Sequence, residues 1–263
     1  MSETKIHPTA IVDPGAEIGV GCEIGAYCVI GPSVRLGDRC RLYSHVVIDG
    51  PTVIGEANHF HSHAAIGGRT QDLKYRGEPT GLRIGYGNTF REFCTVHRAS
   101  EPGDETVIGN HGNFLAYTHI AHDCVVGDHC IFSNNGTLAG HVVVEDHVIL
   151  GGLTAVHQFC RLGRYSMTGG CSKIVQDIVP FTIADGNPAR PGGVNRVGLE
   201  RHGFSEDQIR AIREAYKCLF IRKITREQAL AALDELAGQD GDAPPLVAAI
   251  ASFVRESRRG ITS

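Results

Sequence analysis

The sequence predicts a mainly β protein, a solenoid of parallel strands followed by a helical segment, and three observations lead there. Of the 29 positions that are multiples of six between 6 and 174, 25 are apolar, the exceptions being Asp72, Glu78, Pro102 and Thr168. Glycine often follows the apolar residue, as at Gly19, Gly37, Gly55, Gly109 and Gly151, and a small residue usually stands four positions after it. Beyond about residue 190 the apolar residues recur instead at helical spacing. A period of six suits neither an amphipathic helix nor an alternating hairpin sheet. It suits short strands joined by tight turns, each strand offering one large and one small inward side chain, with glycine supplying the unusual turn geometry.

Composition agrees. The chain has 263 residues, 42% hydrophobic and 21% charged, enough to bury a real core. It holds 33 Gly and 9 Cys but no Trp, so something other than large aromatic side chains fills the interior. The N-terminus has no apolar leader, and the apolar stretch 246–254 is too short to span a bilayer; a cytoplasmic protein with no integral membrane segment is expected. In a reducing compartment the cysteines are packing residues, metal ligands or nucleophiles rather than disulfides. Seven of the nine (Cys22, Cys28, Cys40, Cys94, Cys124, Cys130 and Cys160) occupy the small inward position, which favours packing.

Along the chain, the hexads run without a break from Ile6 to Ile66. A polar excursion, residues 67–83, then interrupts them, and a shorter one, residues 99–106, follows Val96. Loops on a rigid scaffold commonly carry function, and Gln71, Asp72, Lys74 and Tyr75 cluster in the first. The repeat continues in the same phase to Ile174. Residues 18 apart should stack one strand spacing apart, which places His111, His129 and His147 in an outward column that converges poorly on a tetrahedral metal.

Residues 187–193 read as a breaker-rich linker, dividing a solenoid over 1–190 from a helical domain over 191–263. Capping boxes at Ser205/Gln208 and Thr225/Gln228 open two helices, Ile209, Ile212, Ala215, Tyr216, Leu219 and Phe220 give the first an apolar face, and Pro244-Pro245 opens a last helix to about Arg258. Residues 190–263 carry 12 basic and 10 acidic side chains against 13 and 19 in the rest. A weakly basic cap suits an acidic protein or a phosphate group, and the balance is too mild for a general nucleic-acid binder.

One segment stands apart chemically: in Ala121-His122-Asp123-Cys124 a carboxylate adjoins an imidazole that it can orient and support as a base. The hexad pattern resembles the hexapeptide-repeat family, and this resemblance implies a left-handed parallel β-helix with three hexads per coil. That hand runs against the general right-handed crossover rule and rests on the family alone. A narrower resemblance lies in Gln71-Asp72-Leu73-Lys74-Tyr75, Ala121-His122-Asp123-Cys124, Leu138-Ala139-Gly140-His141, Ala155-Val156-His157-Gln158-Phe159, Gly169-Gly170-Cys171-Ser172 and Val194-Asn195 before Gly198-Leu199. These strings, and nearly the whole chain, resemble the acyl-[acyl-carrier-protein]:UDP-N-acetylglucosamine O-acyltransferase family.

The resemblance implies transfer of a 3-hydroxyacyl chain from acyl carrier protein to the glucosamine 3-hydroxyl of UDP-N-acetylglucosamine, the first step of lipid A biosynthesis, by a homotrimer with sites between subunits. On the matching positions the catalytic set is His122 as general base, Asp123 orienting it, and the backbone N–H of Gly140 donating to the oxyanion. Asp72, Lys74, His119, His141, Gln158, Asn195 and Arg201 would bind substrate, and Gly170 would leave room for a long acyl chain. No cofactor and no metal is implied. The chain departs from the family at His202, which stands where a second Arg is common, and at Val197, which stands where an acidic residue occurs. Both touch nucleotide binding. The rival readings are a zinc hydro-lyase resembling gamma-type carbonic anhydrases on the same solenoid, another hexapeptide acyltransferase, and a noncatalytic scaffold.

Overall fold

The sixth-position apolar residues fall at or next to the ends of strands mostly two residues long, because each strand covers one face of a narrow prism before the chain turns. In the computed structural model, which describes residues 3–239 and 241–263, three sheets wrap around one core, parallel throughout except for a last antiparallel pair in the first. The first sheet begins at Lys5–Ile6 and has 11 strands, the second begins at Ile11–Val12 and has nine, and the third begins at Glu17–Ile18 and has eight. Register pairs residues 18 apart, as in Ile6 with Ile24 and Ile120 with Leu138. The fold is the left-handed parallel β-helix that the family resemblance implies, with a helical cap.

Both excursions leave from the same edge, between the second and third sheets, and both preserve the phase. Ile66 pairs with Val96, thirty residues on, so the first adds two hexads to a coil; Val96 pairs with Ile120, twenty-four on, so the second adds one. Strand residues flank the loops, running to Gly68 and restarting at Gly81, then running to His97 and restarting at Glu105. Inward asparagines Asn58 and Asn88 brace the lengthened coils, Asn58 Nδ2 donating to the carbonyls of Gly55 and Gly85, and Asn88 Nδ2 to Asn58 Oδ1 and the Gly109 carbonyl. Thr168, the polar exception among the inward hexad positions, is buried and accepts the Gly151 N–H on its hydroxyl.

The seven inward cysteines are buried, and several donate to carbonyls of the next coil, such as Cys124 Sγ to Ala139 O at 3.2 Å. Burial pushes the thiols of Cys124, Cys130 and Cys160 up to about 12, so they are packing groups and not nucleophiles. The histidine column forms as expected: ring centroids of His111 and His129 are 5.0 Å apart, those of His129 and His147 4.8 Å, and Tyr165 extends the stack at 4.5 Å. The imidazoles lie face to face, converging on no common point.

The turn glycines do something different from the expectation. The left-handed backbone conformation falls two residues later, mostly on non-glycine residues such as Tyr27, His45, Asp123, His129 and His141. Glycine is needed after the apolar residue because the next coil lies too close: a β-carbon on Gly55 would stand 2.6 Å from the Gly85 carbonyl oxygen, and one on Gly37 2.6 Å from the Gly55 carbonyl carbon. Close approach of stacked backbones, not conformational freedom, selects it.

Residues 187–193 are likewise not a linker. Thr182–Gly186 pairs antiparallel with Ala189–Val194, a hairpin that closes the first sheet, with a register irregularity between Ile183 and Ala184. Pro188 lies in its turn, and Pro191 is tolerated because an edge strand need not donate outward. The helices are α1 (Arg196–Arg201), α2 (Glu206–Phe220), α3 (Arg226–Ala237) and α4 (Pro244–Glu256). Both capping boxes are present, at Ser205/Gln208 and Thr225/Gln228. Ile209, Ile212 and Ala215 of α2 are buried in a second core with Leu199, Leu233, Val247 and Ile250, which Val179 and Phe181 join to the last coil. Among the described residues no helix is long and apolar enough to cross a membrane.

Candidate active site

His122 and Asp123 sit on the edge from which both excursions leave. Asp123 adopts the left-handed conformation, φ 59°, and its backbone N–H donates to Thr106 Oγ1 at 2.8 Å. That turn sets the carboxylate against its neighbour, with His122 Nδ1 2.6 Å from Asp123 Oδ2. Ser100 fixes the carboxylate from the other side, its hydroxyl donating to Oδ2 at 2.5 Å and its backbone N–H to Oδ1 at 3.0 Å. Burial alone would raise the Asp123 carboxyl, but the hydrogen bonds from Ser100 and His122 outweigh it and hold the group below its ordinary range. With Nδ1 committed to an ionised carboxylate, the basic face of the ring is Nε2.

One coil further on, Gly140 and His141 cover this pair. The His141 N–H donates to the His122 carbonyl at 3.1 Å, its ring lies edge-on to His122 with centroids 5.2 Å apart, and its Nε2 is 3.6 Å from Asp123 Oδ2. Phe159, in the following coil, stacks on His141 at 4.6 Å. Gly140 is buried, and among the described residues its N–H has no acceptor, whereas Ala139 donates to Val156 and His141 to His122.

The second sheet adds His119, whose Nδ1 is 2.7 Å from Thr95 Oγ1 and whose ring is 4.9 Å from that of His97. Burial, with His97 and His122 nearby, lowers the His119 pKa to about 4, and burial lowers that of His97 too. His97 is buried, and its Nδ1 has no partner among the described residues. His119 is therefore neutral near pH 7, and burial favours the neutral form of His97 as well.

One chain thus gathers His119, His122, Asp123, Gly140 and His141. Gln158 is exposed on the same edge, one coil beyond Gly140 and His141. Asp72 and Lys74 lie in the first excursion, where Asp72 Oδ1 accepts the Lys74 N–H at 2.9 Å and the Lys74 side chain is exposed; neither side chain is bonded to the His122 group. Gly170 is on a different edge, between the first and second sheets. Asn195 is buried at the helical end, where its side chain accepts from Gly198 as the cap of α1 and donates to the Tyr165 carbonyl at 2.9 Å. Arg201 is exposed in the last turn of that helix, next to His202, whose Nδ1 is 2.8 Å from the Gly198 carbonyl. Sequence reasoning missed Ser100, Thr95 and Phe159. Counting the second excursion as one extra hexad puts Thr95 beside His119, and an 18-residue step puts Phe159 over His141.

His122, Asp123 and His141 also bring one potential ligand atom each to within 4.8 Å of one another, the one such three-residue group among the described residues. Ligands at ~2.0–2.1 Å around a tetrahedral zinc stand about 3.3 Å apart. The 2.6 Å contact of His122 with Asp123 is closer than that and is a hydrogen bond.

Comparisons with known proteins give one consistent answer. The family model described as UDP N-acetylglucosamine O-acyltransferase, domain 2, matches residues 177–262. The acyl-[acyl-carrier-protein]–UDP-N-acetylglucosamine O-acyltransferase of Herminiimonas arsenicoxydans is 47% identical over 97% of this chain and 98% of its own length, and that of Burkholderia orbicola 50% identical over 98% and 99%. Among solved structures, the UDP-N-acetylglucosamine O-acyltransferase of Moraxella catarrhalis superposes with a TM-score of 0.93 at 43% identity, covering 98% of this chain and 99% of that one. Identity of this order over nearly the whole chain means that it belongs to the acyl-[acyl-carrier-protein]–UDP-N-acetylglucosamine O-acyltransferase family.

Proposed function

We propose that this enzyme transfers a 3-hydroxyacyl chain from acyl carrier protein to the glucosamine 3-hydroxyl of UDP-N-acetylglucosamine, the first step of lipid A biosynthesis, with His122 as general base. The observation that carries the mechanism is the orientation of His122 by a clamped, ionised Asp123, which leaves Nε2 to take a proton. A sugar hydroxyl is a poor nucleophile at neutral pH, whereas a thioester is already activated, so base catalysis with neither metal nor covalent intermediate suffices. As Nε2 takes the hydroxyl proton, the oxygen attacks the thioester carbonyl, and the proton then serves the departing thiolate. The free N–H of buried Gly140 donates to the tetrahedral oxyanion, a contact typically worth about 3 kcal/mol of barrier. The hydrogen-bonded geometry of His122 and Asp123 favours this reading over zinc ligation.

The residues that the family resemblance assigns to substrate fall on different parts of one chain: His141 and Gln158 on the His122 edge, the chain-length residue Gly170 on another, Asn195 and Arg201 at the helical end. This distribution supports a homotrimer in which the cleft between neighbouring solenoids joins one subunit's edge to residues of the next, with Asp72 and Lys74 reaching in on the first excursion. We assign Arg201 to the phosphate-bearing part of a substrate and Asn195 to holding α1 in place beside it, read the chain as a solenoid closed by the hairpin that ends at Val194 and followed by a helical cap, and place the protein in the cytoplasm.

The test is turnover of UDP-N-acetylglucosamine with a panel of 3-hydroxyacyl carrier protein thioesters. Wild type is active, and His122→Ala falls by about 10²–10⁴-fold, the usual share of a general base. Full activity in that variant refutes the mechanism.

A further inference from the structure

The second excursion spans a single extra hexad, too short to form a lid, yet it brings Ser100 back over the coil that carries His122 and Asp123. Ser100 is buried, and both of its donors are spent on one carboxylate: the hydroxyl on Oδ2 at 2.5 Å and the backbone N–H on Oδ1 at 3.0 Å. Thr106, at the far end of the same excursion, accepts the backbone N–H of Asp123 at 2.8 Å. The excursion therefore grips both the side chain and the backbone of Asp123. A carboxylate bonded to only one imidazole can rotate about its terminal torsion, which is broad. One that accepts on both oxygens from a third element cannot rotate without breaking a bond.

We propose that Ser100 is a positioning residue for the transfer reaction, setting the orientation and basicity of His122 through Asp123, and that the second excursion exists to deliver it. The proposal rests on the reading of His122 as the base. Ser100 touches no reacting atom. Its hydroxyl shares the charge of the carboxylate that accepts the hydrogen bond from His122 Nδ1–H, so its removal leaves a more basic carboxylate with a freer torsion. The other titratable groups facing His122 are His97 and His119 from the second sheet and His141 from the next coil, and none contacts Ser100 by a hydrogen bond.

The experiment compares Ser100→Ala, Ser100→Thr and Ser100→Cys in the intact enzyme, with His122→Ala alongside. Ser100→Ala keeps the backbone donor and loses only the hydroxyl. It should lower kcat by about 10–100-fold, by analogy with the loss of a partner that orients a metal-bound histidine, with the KM of both substrates unchanged. The acidic limb of the kcat/KM profile should move to higher pH, because the unshared carboxylate holds the imidazolium proton more tightly. Ser100→Thr should restore both. If Ser100→Ala does not fold, Ser100→Cys, nearly isosteric with a weaker donor, carries the same comparison. Wild-type kcat in the alanine variant, a loss with an unmoved pH limb, or no rescue by threonine each overturns the proposal. If instead His122→Ala is fully active, it is the base assignment that fails.

Discussion

Gly140 lies directly against the imidazole of His122: a β-carbon on Gly140 would stand 2.6 Å from Nε2 and closer still to Cε1. The glycine that supplies the free N–H is thus also the surface that keeps the ring in place. Gly140→Ala should fold, since the collision is with one side chain, but the ring must move. A displacement approaching 1 Å at the reacting atoms costs on the order of 10²-fold. Single-turnover rates test this, and a rate within twofold of wild type would show that the ring moves aside without consequence.

Acid should destabilise this protein through its site. The folded-state pKa of His119 is lowered to about 4 against an unfolded value near ~6.5, by burial first and by His97 and His122 next. Between those values the unfolded chain binds a proton that the folded chain does not, so stability falls as the pH drops from about 6.5 to 4 and is level above. The lowered carboxyl of Asp123 acts in the same sense at lower pH, its contribution being lost as the pH falls through its folded value. Thermal midpoints across this range should decline, and His119→Gln, which keeps an amide beside Thr95, should flatten the slope. An equal slope in the variant would remove His119 from the account.

Coil spacing is checked by Gly55→Ala. Its β-carbon would meet backbone, which cannot swing away as a side chain can. A loss of about 1–3 kcal/mol is expected, read as a lower urea midpoint. Gly170→Ala is the control, because a β-carbon there meets only the Gly152 carbonyl oxygen at 3.4 Å. Equal midpoints for the two variants would mean that the coils part at no cost.

The same open space at Gly170 makes Gly170→Met a test of acyl length that leaves the fold intact. Donors of defined length should be turned over with a shorter optimum than in wild type, and an unchanged optimum would detach Gly170 from chain-length choice.

What the sequence determined by itself was the solenoid. A side chain every sixth residue must face inward, so Ile, Leu and Val at those positions, with cysteine at the small ones, specify the prism from local pattern alone. Because both excursions are whole numbers of hexads, the phase survived them. The strings around His122, Gly140 and Gln158 pointed to the proposed site through the family resemblance, and the fold brings them to one edge because residues 18 apart stack. Only the tertiary structure decided what depends on distance between coils. Glycine after Ile54 is required by the Gly85 carbonyl, thirty residues away in sequence, and not by its own torsion angles. Residues 187–193 pair as a hairpin because the last strand of the first sheet leaves an edge open. Ser100 is tied to Asp123 across an inserted hexad, and no local pattern around either residue records a contact that exists only when one coil is stacked on the next.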